Sequence, residues 1–97
     1  MTGIGQRTFQ LVNYLMPPYK EQFSTGTKVR VVDREALEAF SKNWRYHHKL
    51  EPAQLGYANY VTAVTKVTFY HGGDPLYEIH GAPGIWHEQC LRASDSV

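Results

Sequence analysis

The sequence predicts a mostly β, α+β domain: a small barrel of short strands with one inserted helix. Three observations predict it. Residues 60–70 are dense in β-branched and aromatic side chains that alternate with polar ones. Two Gly/Pro-rich turns, around 71–75 and 81–84, break the C-terminal half into hairpins. Between the first strand and those hairpins, residues 34–48 carry apolar side chains at helical spacing.

Each element follows in order. Ile4, Phe9, Val12, Leu15 and Met16 can line one face of a short helix, which Pro17 and Pro18 would end. Residues 1–22 thus read as a helical or extended arm. Gly26 lies in a turn, and Lys28 to Val32 is a strand with Val29 and Val31 on one face. Asp33 is a good helix N-cap, and Glu35 and Glu38 suit the positive end of the helix dipole. Leu37, Phe40, Trp44 and His47 or His48 carry the period, predicting a helix over 34–48. Glu38 and Lys42 are placed to pair. Pro52 opens a single helical turn.

From residue 58 the pattern changes. Val61, Ala63, Val67 and Phe69 read as one face of a long strand. His71-Gly72-Gly73-Asp74-Pro75 is a loop whose glycines can take positive φ. Leu76 to His80 returns with Tyr77 and Ile79 on one face, residues 81–84 turn again, and Ile85-Trp86 begins a third hairpin-linked strand. A 3₁₀ turn over 87–90 and a polar tail after residue 93 complete the chain. The domain spans 23–93, with a helical insert at 34–49 and a tail at 94–97. Tight turns between short strands favour closure, which removes exposed edges. An open sheet with the helix across one face is the alternative.

Composition narrows the function classes. With 97 residues the chain is one domain. The hydrophobic fraction of 42% argues against disorder. A net charge of +1 gives no electrostatic case for nucleic acid or membrane surfaces. One cysteine excludes an internal disulfide and fits a reducing compartment. With no signal peptide and no membrane-length apolar window, the expected location is the cytoplasm. The modest core makes a homo-oligomer the expected state.

Two stretches carry a resemblance. Phe23-x-x-Gly26-x-x-Val29-Arg30-Val31 resembles the first barrel strand in the C-terminal domain of the nitrile hydratase β-subunit. Leu76-Tyr77-Glu78-Ile79, followed by Gly84-Ile85-Trp86, resembles the later strands of the same domain. The resemblance implies a Src-homology-3-like barrel. It does not imply the activity, because the metal in that family is held by a cysteine cluster on the other polypeptide of the enzyme. The segment 69–91, FYHGGDPLYEIHGAPGIWHEQCL, is similar to small uncharacterised bacterial proteins carried on mobile (integron) gene cassettes.

Candidate chemistry is sparse. Tyr60, Tyr70, Tyr77 and Trp86 can form an aromatic strip of the kind that binds extended peptides. Asp74, Glu78 and Glu88 nearby would suit a basic one. His71, His80, Trp86 and His87 frame a small-molecule site on the same hairpins. His87-x-x-Cys90 pairs two transition-metal ligands, and His71 and His80 flank the same hairpin and would join them if the fold makes the four converge, as a closed zinc site needs. Cys90 with His87 imitates a thiol nucleophile and base only if the two meet in space. Trp44 to Lys49 combine cations with rings, as single-strand nucleic-acid binders do, although cations also suit a helix C-terminus. His71-Gly72-Gly73-Asp74 lacks the Lys-Ser/Thr of a phosphate loop. The expectation is a non-enzymatic binding or assembly module with a protein or peptide partner, no cofactor and no resident metal. An enzyme accessory or small-molecule binder is the alternative, and a nucleic-acid-binding barrel is less favoured.

Overall fold

A computed structural model describes residues 20–94; residues 1–19 of the arm expected over 1–22 and the last three residues of the tail lie outside them. The strands are β1 (Lys28–Val31), β2 (Val61–Phe69), β3 (Pro75–Ile79), β4 (Trp86–His87) and β5 (Leu91–Ala93). One α-helix, α1 (Arg34–Asn43), separates β1 from β2, and a 3₁₀ helix over Pro52–Tyr57 follows it. The sheet is antiparallel, in the order β4-β3-β2-β1-β5.

The sheet curls. Its two edge strands are joined by only one 3₁₀ turn, Glu88–Cys90. Five strands laid flat would put their edges roughly 19 Å apart. The chain from His87 to Leu91 spans at most about 14 Å. Folding β4 back toward β5 is the only way both pairings can form.

A bulge in β2 helps the bend. Val64 pairs with Ile79 and Lys66 with Glu78, which leaves Thr65 as an extra residue. An added residue exchanges the two faces of a strand. Before the bulge, Thr62 lies opposite buried Val29, Val64 is buried, and Val61 points outward at 39% exposure. After it, Val67 sits opposite buried Tyr77. The single face expected from Val61, Ala63, Val67 and Phe69 is therefore corrected: Val61 and Ala63 are on the other side from Val67.

Strand periodicity does not predict β5. It is three residues long, too short for a period, and it is fixed by pairing with β1 (Val31 with Leu91, Val29 with Ala93). The core holds Val29, Val31, Leu37, Val64, Tyr77, Trp86 and Cys90, all fully buried. Each large apolar side chain removed from water contributes about 1.5–3 kcal/mol. α1 is anchored to this core by Leu37, with Ala36 and Phe40 packed beside it.

α1 begins as expected: the Asp33 carboxylate accepts from Ala36 N at 2.8 Å. Glu38 pairs with Arg34 at 2.9 Å, one turn earlier, in place of the expected Lys42. The helix also ends earlier than the expected residue 48. Trp44 leaves helical geometry at ψ 119, while its N–H still bonds Phe40 O. Its indole Nε1 then donates to His47 O at 2.6 Å, which turns residues 44–47 into a loop. Among the described residues, no helix is long and apolar enough to cross a membrane.

Candidate functional site

Three segments meet at one corner: the loop after α1, the tip of the β2–β3 hairpin and the β4–β5 turn. The hairpin tip closes on itself, with Gly73 N donating to Tyr70 O at 2.8 Å and Tyr70 N to Asp74 O at 2.9 Å. His71 takes the left-handed conformation here (φ 48), a task the sequence assigned to the glycines. Gly73 instead sits at φ −123.

His87 lies at the base of the corner, 4% exposed. The Phe40 and Trp44 rings pack against it, with centroids at 4.9 and 4.7 Å. Its Nε2 is 2.7 Å from His48 O. A carbonyl only accepts, so Nε2 carries the proton. Burial pushes the His87 pKa below its usual value, and the bond to His48 O opposes that shift only in part.

Above it, His47 lies flat on Tyr70, with centroids 3.7 Å apart and planes 11° from parallel. His47 Nε2 meets Asp74 Oδ2 at 3.0 Å, and His47 Nδ1 meets His48 Nδ1 at 3.1 Å. His48 holds a left-handed backbone (φ 51) that turns its carbonyl toward His87 while its side chain stays exposed. His71 stands edge-on against Tyr70 at 4.3 Å. Four of the five histidines thus gather here.

Beside the rings run two adjoining depressions. One, about 330 Å³, is lined by Ala36, Ala39, Phe40, Asn43, Trp44 and Gln89. The other, about 150 Å³, is lined by Trp44, Asp74, Pro75, His87, Glu88 and Gln89. Trp44 and Gln89 belong to both, so the two form one groove between α1 and the β4–β5 turn. Its first half is mainly apolar. Its second half carries two carboxylates. Glu88 Oε2 accepts from Tyr77 Oη–H at 2.5 Å and Gln22 N–H at 2.8 Å, which fixes its position.

The candidates named from sequence divide. Tyr70, His71, Asp74 and His87 come together in this corner. Tyr77 and Trp86 are fully buried and present no face to a ligand. Their polar ends are used inside: Tyr77 Oη accepts from Gln22 N and Phe23 N, and Trp86 Nε1 donates to Pro83 O. Tyr60 packs on Tyr57 and against Gly81. His80 follows the far end of β3 from Asp74, about 20 Å along the strand. The aromatic strip of four rings, and the site framed by His71, His80, Trp86 and His87, are therefore not single surfaces.

Cys90 is sealed in the core, and burial pushes its thiol up to about 12, against a backbone hydrogen bond from His87. A thiol so held is not a nucleophile at neutral pH. Among the described residues, no group of three or more His, Cys, Asp and Glu side chains is arranged to hold a metal ion.

Sequence reasoning missed Gln89 and the joining of His47 with Asp74. The signal for the α1 end was present in the Trp44–Lys49 cluster, but its partner across the fold was not visible. No family model, curated protein or solved structure matches the chain.

Proposed function

We propose that this chain is a non-enzymatic binding module on a small Src-homology-3-like barrel. Its ligand is a segment of a protein partner with an apolar side chain next to a lysine or arginine. The barrel reading is supported by the curl of the sheet and by the short 3₁₀ turn that joins its edge strands. The groove beside Trp44 carries the functional reading. Trp44 is half-buried and forms the shared wall of an apolar depression and an acidic one. Half-buried tryptophan flanked by an apolar pocket is the composition of interface anchors. Asp74 and Glu88 favour a cation beside it and disfavour phosphate, which argues for a basic peptide over nucleic acid. The sealed Cys90 supports the non-enzymatic reading.

Ala39 tests this cleanly, because it is exposed on α1 and lines the apolar half. Short peptides pairing Leu or Phe with Lys or Arg would be titrated by fluorescence polarisation. Ala39→Glu should abolish binding without lowering thermal stability, and Glu88→Gln should weaken it. Peptides that bind Ala39→Glu as tightly as the unaltered chain would refute the reading. Binding only to DNA or RNA, lost with added salt, would also refute it.

A further inference from the structure

We propose that His47 and His48 form a two-histidine site for a borderline divalent transition-metal ion such as Zn²⁺ or Cu²⁺, with Asp74 as its positioning residue. This does not depend on the peptide reading. The observation is the pairing of His47 Nδ1 with His48 Nδ1 at 3.1 Å, next to the His47 Nε2 contact with Asp74 at 3.0 Å.

The proton inventory follows from the partners. The Asp74 carboxylate accepts, so His47 Nε2 carries a hydrogen and, in the neutral ring, Nδ1 presents a lone pair. His48 Nδ1 faces that lone pair. Without metal, a hydrogen on His48 Nδ1 bridges the two nitrogens. With metal, the His48 hydrogen moves to Nε2 through solvent, and both Nδ1 lone pairs bind the ion. Two neutral imidazoles exchange no net proton in this step.

The distances suit the ion. Nitrogens 3.1 Å apart, each about 2.0–2.1 Å from one ion, subtend about 100° at it. That lies between the square-planar and tetrahedral angles. The existing contact runs nearly head-on along the N···N line, with ring centroids 5.3 Å apart, so the exposed His48 ring has to swing off that line before both lone pairs converge on one ion. Water or an exogenous ligand fills the other positions.

The His47 ring and the His48 backbone are held in advance. His47 is clamped by the Tyr70 stack, by Asp74 and by the Trp44 indole on its carbonyl. His48 is fixed by its left-handed backbone and by His87 on its carbonyl. A carboxylate on the far nitrogen of a ligating histidine fixes its tautomer and raises its basicity.

The test is isothermal titration calorimetry of the intact protein with Zn²⁺ and with Cu²⁺ at neutral pH. One ion per chain is expected, with Cu²⁺ the tighter. His48→Asn removes the ligand, while asparagine tolerates the left-handed backbone. It should abolish this binding. Asp74→Asn should weaken it about 10–100-fold with the thermal midpoint unchanged. In the unaltered protein, imidazole ¹⁵N spectra should show Nδ1 of both His47 and His48 shifting on Zn²⁺ addition. An isotherm unchanged in His48→Asn, imidazole signals that stay put, or no heat from either ion would each overturn the site.

Discussion

His87 Nε2 donates to the carbonyl oxygen of His48 at 2.7 Å, which ties β4 to the loop that ends α1. The bond satisfies a buried imidazole and holds His48 in its left-handed turn. It forms while His87 is neutral, and its setting disfavours the cation. Phe40 and Trp44 cover the ring, and charge on His47 or His48 would repel it. The His48 carbonyl and the Asp74 carboxylate favour a cation there and offset the shift only in part.

Stability should therefore fall in acid. The folded pKa of His87 lies below the ordinary value of 6.5. Between the two values the unfolded chain binds the extra proton, so stability is fully present above pH 6.5 and is lost as pH falls below it. Urea midpoints from pH 7.5 to 5, with a chelator present, would show the decline. His87→Gln keeps a donor and removes the titration, so its profile should be flatter. Identical profiles would refute the assignment.

The opposite sign holds in alkali for Cys90. Its folded pKa is raised from 9.0 to about 12, so the unfolded thiol ionises first. Stability is complete below pH 9 and declines above it, at up to about 1.4 kcal/mol per pH unit from this group. Tyr77, raised from 10.0 to about 12 by burial and by its bond to Glu88, adds to the slope above pH 10. Cys90→Ala should lose the part of the slope between pH 9 and 10. At pH 8 an aromatic disulfide reagent should label Cys90 only at the rate of unfolding. Labelling in seconds under native conditions would contradict its burial.

Asp33 should be the most sensitive exposed position on α1. Asp33→Ala removes the acceptor for Ala36 N and should cost about 1 kcal/mol, as N-cap losses do. Asp33→Asn should recover most of it. Arg34→Ala, which breaks only an exposed pair with Glu38, should cost less than about 0.5 kcal/mol. Equal losses at both positions, measured by urea denaturation, would show that the cap does not set the helix start.

The cap, the first strand, the Pro52 turn and the hairpins were legible because each is written locally, in period, turn residues and capping chemistry. What was not legible is set across the fold. The Thr65 bulge reverses the faces of β2, and nothing in 61–69 marks it. β5 exists because β1 offers an open edge. α1 stops at Asn43 because Trp44 finds Phe40 and His87, one of them 43 residues away. The candidate site fared likewise. Tyr70, Asp74 and His87 were named from their own segment, but their meeting with His47 depends on the loop after α1. Tyr77 and Trp86 were named for an aromatic strip, yet both are buried in the core.

The turn between β3 and β4 depends on a steric fit that alternation could not reveal. Gly81 sits at φ +83, and a Cβ there would run into the Tyr60 hydroxyl. Gly81→Ala therefore meets backbone strain and a clash together, and should cost about 1–3 kcal/mol. The two causes separate in a double-mutant cycle. Tyr60→Phe removes the hydroxyl oxygen but leaves the ring carbon 3.3 Å from the added Cβ. In that background Gly81→Ala should cost less, with the rest of the penalty reporting the left-handed backbone. Additive losses in thermal denaturation would mean that Tyr60 yields freely and that the conformation alone requires glycine.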